Sequence, residues 1–89
     1  TMAGESVIKA FLKGNNKIVR NDESRDYDLY LHGNKIAEFT MHGEIYITNA
    51  GYFTNVTKDR LNQLGANITQ KNKIWYKDGI EWDGKWIKL

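Results

Sequence analysis

Apolar residues along much of this chain recur at every second position, in short stretches separated by turn-forming residues. That spacing places one side of a strand in a core and the other in water. Tyr27–Leu31 alternates in this way, with Tyr27, Leu29 and Leu31 on one face. Gly33-Asn34 reads as a two-residue hairpin, because both residues tolerate positive φ. Ile36–Thr40 is then the return strand, Met41-His42-Gly43 turns the chain again, and Glu44–Thr48 is a third strand with Ile45 and Ile47 inward. Ahead of these, Asn15-Asn16 reads as a turn, Lys17–Arg20 as a short strand and Asn21–Asp26 as a charged, exposed loop. Together these elements predict an antiparallel meander.

The last third of the chain carries the same signal. Ile68–Gln70 reads as a brief strand, followed by Ile74–Lys77, Ile80–Trp82 and Lys85–Leu89. Asp78-Gly79 and Asp83-Gly84 are strong two-residue hairpin signals. Two such hairpins would set Trp75 opposite Trp82 and Trp82 opposite Lys85. One face would carry Trp75, Ile80, Trp82, Ile87 and Leu89 as core. The other would carry Ile74, Tyr76, Glu81, Trp86 and Lys88, with Tyr76 and Trp86 partly exposed.

Two segments depart from alternation. Ser6–Lys13 has Val7, Ile8, Phe11 and Leu12 on one helical face and Lys9 and Lys13 on the other, with Ser6 to cap it and Gly14 to stop it. Lys58–Leu64 reads as a second short helix. Thr57 would be its cap, Asp59 would complement the positive end of its dipole, and Val56 and Leu61 would staple its start. Leu61 and Leu64 supply its buried stripe, and Gly65 ends it. The expected fold is α+β: one domain over residues 1–89, a small antiparallel β-meander sheet with two short helices packed on it.

Composition narrows the picture further. An 89-residue chain with no cysteine has neither disulfides nor thiolate metal sites, so its eleven aromatic residues must carry much of the packing. Thirteen basic and eleven acidic residues leave a net charge of +2, too balanced to argue for nucleic acid by itself. No stretch approaches the ~20 apolar residues of a membrane span, and the lysines in the N-terminal apolar patch argue against a signal peptide. The expected setting is the cytoplasm, with no membrane partner; homo-oligomers are a common route to stability at this size. Thr1 ahead of Met2 reads as an expression remnant. Asn55-Val56-Thr57 and Asn67-Ile68-Thr69 match a glycosylation pattern by chance in such a setting.

Candidate chemistry concentrates around the second helix. Asn49, Tyr52, Thr54, Thr57, Lys58, Arg60 and Asn62 would surround a helix N-terminus, where free N–H groups and two cations suit a phosphate. Tyr52 or Phe53 could stack on a base. The plainer alternative is that Asn49 and Gly51 shape a turn, Thr57 only caps, and Arg60 pairs with a surface carboxylate. A second candidate is the aromatic hairpin region, where Trp75, Tyr76, Trp82 and Trp86 interleave with Lys73, Lys77, Lys85 and Lys88, the alternative being core tryptophans and edge-protecting lysines. His32 and His42 each precede a glycine in a turn, and with no third ligand apparent they do not predict a metal site. Asp26 and Asp28 lie near Glu23, but nothing suggests the cleft that paired-carboxylate hydrolysis needs. No catalytic residue, cofactor or metal is predicted.

The motif order resembles a family of small proteins from tailed phages and related mobile elements. The matching blocks are Leu29-Tyr30-Leu31-His32-Gly33-Asn34, Ile36-Ala37, Asn49-Ala50-Gly51-Tyr52, Thr57-Lys58-Asp59-Arg60-Leu61-Asn62, Gln70-Lys71, Trp75-Tyr76 and Trp82-Asp83-Gly84. The resemblance implies a phage or prophage origin, hence the cytoplasm of an infected host, and brings no activity with it. The expected function is non-enzymatic binding by an accessory protein, in host takeover or anti-defence, with nucleic acid or a nucleotide as the anionic ligand. The alternative is an inhibitor or interaction module for a host protein, using Tyr76, Trp86 and the Asn21–Asp26 loop.

Overall fold

The computed structural model of the protein describes residues 16–89. The predicted helix Ser6–Lys13 lies outside the described residues. In chain order the elements are β1 (Asn16–Arg20), β2 (Tyr27–Leu31), β3 (Asn34–Phe39), β4 (Ile45–Ile47), α1 (Asn55–Gln63), β5 (Ile68–Lys71), β6 (Ile74–Lys77), β7 (Ile80–Glu81) and β8 (Ile87–Lys88). The fold is α+β, with one helix among the described residues where the sequence predicts two over the whole chain.

The strands form two antiparallel sheets in place of a single meander. One has five strands in the order β1-β2-β3-β4-β8, and the other has three in the order β5-β6-β7. Asn16, expected in a turn, already pairs with Leu31. The β2–β3 turn is His32-Gly33, one residue earlier than Gly33-Asn34: both central residues have positive φ (51° and 82°), and Asn34 opens β3 opposite Leu31. The register shifts between Leu29↔Ala37 and Tyr30↔Lys35, which leaves Ile36 unpaired as a bulge. Ile36 and Ala37 are therefore both buried although adjacent in sequence.

Asp78-Gly79 makes the predicted β6–β7 hairpin, with Tyr76 opposite Glu81 and Lys77 opposite Ile80. Asp78 is tied to Asn67 and to Lys77, and the Lys77 ammonium beside it holds its carboxyl below the usual range. Asp83-Gly84 does not make a second hairpin. Trp82 Nε1 does donate to the Lys85 carbonyl at 3.0 Å, so the local reversal exists. Beyond it the chain leaves the small sheet, and β8 pairs with β4 through Tyr46↔Lys88 and Ile47↔Ile87.

One apolar cluster joins both sheets and the helix. It holds Leu29, Leu31, Ile36, Phe39 and Ile47 from the large sheet, Leu61 from α1, Ile68 and Trp75 from the small sheet, and Trp82 just after β7. Trp75 and Trp82 lie 6.2 Å apart between ring centroids. Ile80 and Ile87, expected in this core, are instead exposed, Ile80 to 74%. They sit at the sheet edges where the assumed continuous hairpin breaks.

Candidate functional site

The segment between β4 and α1 is built around a turn that the rest of the fold holds in place. Ala50 and Gly51 both have positive φ, and the Tyr52 N–H donates to the Asn49 carbonyl at 2.9 Å. The Asn49 side chain accepts from the Gly51 N–H at 2.8 Å, and its backbone N–H donates to the Gly84 carbonyl. The Thr48 hydroxyl donates to the same carbonyl. Asn49 is buried, so it acts as an architectural residue and is not presented to solvent.

From this turn Tyr52 and Phe53 emerge half-exposed, each at 50%. Phe53 packs edge-on against Trp75, with centroids 5.1 Å apart. The helix then begins three residues earlier than predicted. Thr54 is the cap, in extended conformation, and its hydroxyl accepts from the Thr57 N–H at 3.2 Å. Thr57 is buried within the first turn, where its own hydroxyl accepts from that of Thr54. Val56 is consequently exposed instead of stapling the start, and Asp59 lies beyond the first turn. At the other end Gly65 stops the helix as expected: its N–H donates to the Asn62 carbonyl and that of Ala66 to the Leu61 carbonyl.

A groove of about 300 Å³ opens at the mouth of α1. Leu31, His32, Asn34 and Ile36 from the β2–β3 hairpin form one wall, and Tyr52, Thr54, Val56 and Thr57 form the other. The lining is mainly apolar, with His32 and Asn34 at the hairpin end. Three predicted residues, Tyr52, Thr54 and Thr57, thus share one concavity.

The remaining predicted residues do not line it. Lys58 reaches the Gln70 amide at 3.2 Å. Arg60 bonds Asp59 at 2.7 Å, and its side chain is only 14% exposed. Asn62 clamps Ile68, donating to its carbonyl at 3.0 Å and accepting from its N–H at 2.6 Å. The hairpin residues Leu31, His32, Asn34 and Ile36 were missed as lining because their approach to α1 is long-range. No local spacing signals it.

The aromatic hairpin region is not an open platform. Trp75 and Trp82 are buried, while Lys77 pairs with Asp78 and Lys88 with Glu44. Tyr76 lies partly buried in the small sheet. Trp86 is 47% exposed and lies under the Lys35 ammonium, 5.7 Å from its ring centroid. Lys35 also bonds Asp28 and Glu38. Burial pushes its ammonium down, but the two carboxylates outweigh this and carry it above the usual lysine range. Asp28 is thereby engaged as an ion-pair partner. The Asn21–Asp26 loop is folded on itself, with the Glu23 and Ser24 N–H groups donating to Asn21 Oδ1.

His32 and His42 occupy the turns at opposite ends of β3, and among the described residues no cluster of acidic and histidine side chains gathers to hold a metal ion. No helix among the described residues is long and apolar enough to cross a membrane.

The molecule is thus a small α+β domain of two antiparallel sheets, and comparison with family models makes it a phage protein. Residues 3–87 match the model of the Kyanoviridae Gp96 protein, and the chain belongs to that family. No curated protein and no solved structure matches it.

Proposed function

We propose that this phage protein acts by binding without turnover, and that its ligand is a nucleotide or single-stranded nucleic acid held at the mouth of α1. The observation that carries the reading is the half-exposed Tyr52 on the rim of a mainly apolar groove of about 300 Å³. A base stacked on such a ring is worth roughly 1–3 kcal/mol. Lys58 lies outside the groove and would meet the anionic end of a ligand that extends beyond it, since its partner Gln70 is neutral and can be exchanged for a phosphate oxygen. Arg60 is the weaker contributor because Asp59 already engages it, although Asp59 is largely exposed and such a pair contributes only about 0–1 kcal/mol. Host takeover or anti-defence is the setting in which such binding would serve a phage.

The test is titration of short single strands and of nucleotides at low salt, followed by tyrosine and tryptophan fluorescence. Tyr52→Ala should weaken binding by roughly 1–3 kcal/mol. If Lys58 makes the single phosphate contact, the log–log salt slope should be roughly −0.7. Silence with both ligand classes removes the reading.

A second reading, docking of a host protein, is favoured by the exposed apolar side chains Trp86, Ile80 and Ile87. A pull-down lost on Trp86→Ala with the fold intact would support it.

A further inference from the structure

The chain holds two Asp-Gly pairs, Asp78-Gly79 and Asp83-Gly84, and the fold treats them differently. In such a pair the main-chain nitrogen can attack the preceding carboxyl with little obstruction, because glycine carries no Cβ. Access does not separate the two sites: the Asp78 and Asp83 side chains are 58% and 63% exposed. Their contacts do. Asp78 Oδ1 accepts from Asn67 Nδ2 at 3.1 Å, and its Oδ2 from the Lys77 ammonium at 2.7 Å. Both donors favour the ionised carboxyl, which is a poor electrophile. Asp78 also has positive φ and is closed between Lys77 and Ile80, which pair across the hairpin. Asp83 is held more lightly. Its Oδ1 accepts from the Lys85 N–H at 3.0 Å, and the Lys85 ammonium stands 3.9 Å from Oδ2. The first of these bonds folds the carboxyl over the intervening Gly84 peptide, as in an Asx turn, and so brings Cγ towards the Gly84 nitrogen. The Asp83-Gly84 peptide belongs to neither β7 nor β8, and a glycine follows φ of either sign.

We propose that Asp83 is a site of spontaneous isoaspartate formation in the folded protein, and that the fold protects Asp78 from the same reaction. The Gly84 nitrogen gives up its proton to solvent and attacks Cγ of the protonated Asp83 carboxyl. The C–OH bond breaks and water leaves, which closes a succinimide. Water then adds at the former main-chain carbonyl and breaks its bond to nitrogen, so that the chain continues through Cγ and the α-carboxyl is set free. One water leaves and one enters, and no oxidant or cofactor takes part. The product has one more main-chain carbon just ahead of Gly84, whose carbonyl accepts from both Thr48 and Asn49.

The test uses the unaltered full chain, kept in warm neutral buffer either folded or in concentrated urea and then digested with trypsin. Cleavage after Lys85 and after Lys73 or Lys77 keeps both pairs on one peptide, so each is the other's control. Electron-transfer fragmentation locates the isoaspartate. In the folded protein the isomer at Asp83 should exceed that at Asp78 by at least about fivefold, and in urea the two should accumulate at similar rates. Equal amounts in the folded protein, or an excess at Asp78, would overturn the proposal. So would an Asp83 excess that persists undiminished in urea, since sequence context and not the fold would then select the site. Isomer that forms in urea but at neither site in the folded protein would overturn it as well.

Discussion

At the scale of single residues, the fold turns on the contact between Asn49 and Gly84. A Cβ built on Gly84 would overlap the Asn49 carboxamide, and the Gly84 carbonyl is the acceptor for both Thr48 and Asn49. Gly51 offers a control, since it too has positive φ but has open space around the position of a Cβ. A left-handed conformation costs an L-residue roughly 1–2 kcal/mol. Gly51→Ala should lose only that amount. Gly84→Ala should lose a further 1–3 kcal/mol, because the overlap is with a buried side chain that has no room to retreat. Urea midpoints of the two variants check the difference, and equal losses would show that the close approach does not matter. Gly84 was legible in the sequence as a turn residue, but its partner was not. Asn49 lies 35 positions away and itself read as a residue open to a ligand.

At the scale of elements, local signals were reliable where a structure is closed by its neighbours and unreliable where its partner is distant. The strands β2, β4 and β6, the Asp78-Gly79 hairpin and the Gly65 stop follow from alternation and turn chemistry alone. The start of α1 was displaced because Thr54 and Thr57 are both good caps one turn apart, and burial of Thr57 and Leu61 on one face decides between them. The β5–β6 turn has positive φ at both Asn72 and Lys73, a conformation that a turn without glycine does not advertise. The fate of β8 was least legible, since Asp83-Gly84 points to β7 and the strand goes to β4. That short strand is tied down by the Leu89 N–H, which donates to the Ile45 carbonyl, and by Lys88 bonding Glu44 at 2.9 Å. The hydrogen bond from Lys88 holds the Glu44 carboxyl below its ordinary value of 4.5, and Glu44 in turn raises Lys88 above 10.5. For the carboxylate, folded below unfolded means stability that is present above pH 4.5 and is lost as pH falls through the depressed value. For the ammonium, folded above unfolded means stability that is present below pH 10.5 and is lost as pH climbs through the raised value. The contact is therefore fully formed between these limits. In Lys88→Gln the Glu44 carboxyl, followed by NMR titration, should return towards its ordinary value; an unchanged titration would show that Lys88 is not what depresses it.

At the scale of the whole molecule, the question is whether the two sheets are one cooperative unit. They share no strand, and a small sheet of β5, β6 and β7 could in principle come apart from the larger one. Three observations argue against independence. The apolar cluster runs without a break from Phe39 and Ile47 through Leu61 to Trp75 and Trp82. The chain crosses between the sheets twice, through α1 and again at Gly84, where Thr48 and Asn49 hold it. The helix is bound to the small sheet by the Asn62 clamp on Ile68. A domain of this size has little stability to divide, about 5 kcal/mol at the low end of the usual range. Urea unfolding followed by tryptophan emission, which reports chiefly the Trp75–Trp82 region, should coincide with unfolding followed by far-UV circular dichroism, which reports all strands. Leu61 is fully buried where helix and sheets meet, so Leu61→Ala should remove about 2–5 kcal/mol from both transitions together. Two separated transitions, with Leu61→Ala moving only one of them, would mean that the cluster is continuous in space but not in energy. The groove at the α1 mouth would then open and close with the large sheet alone.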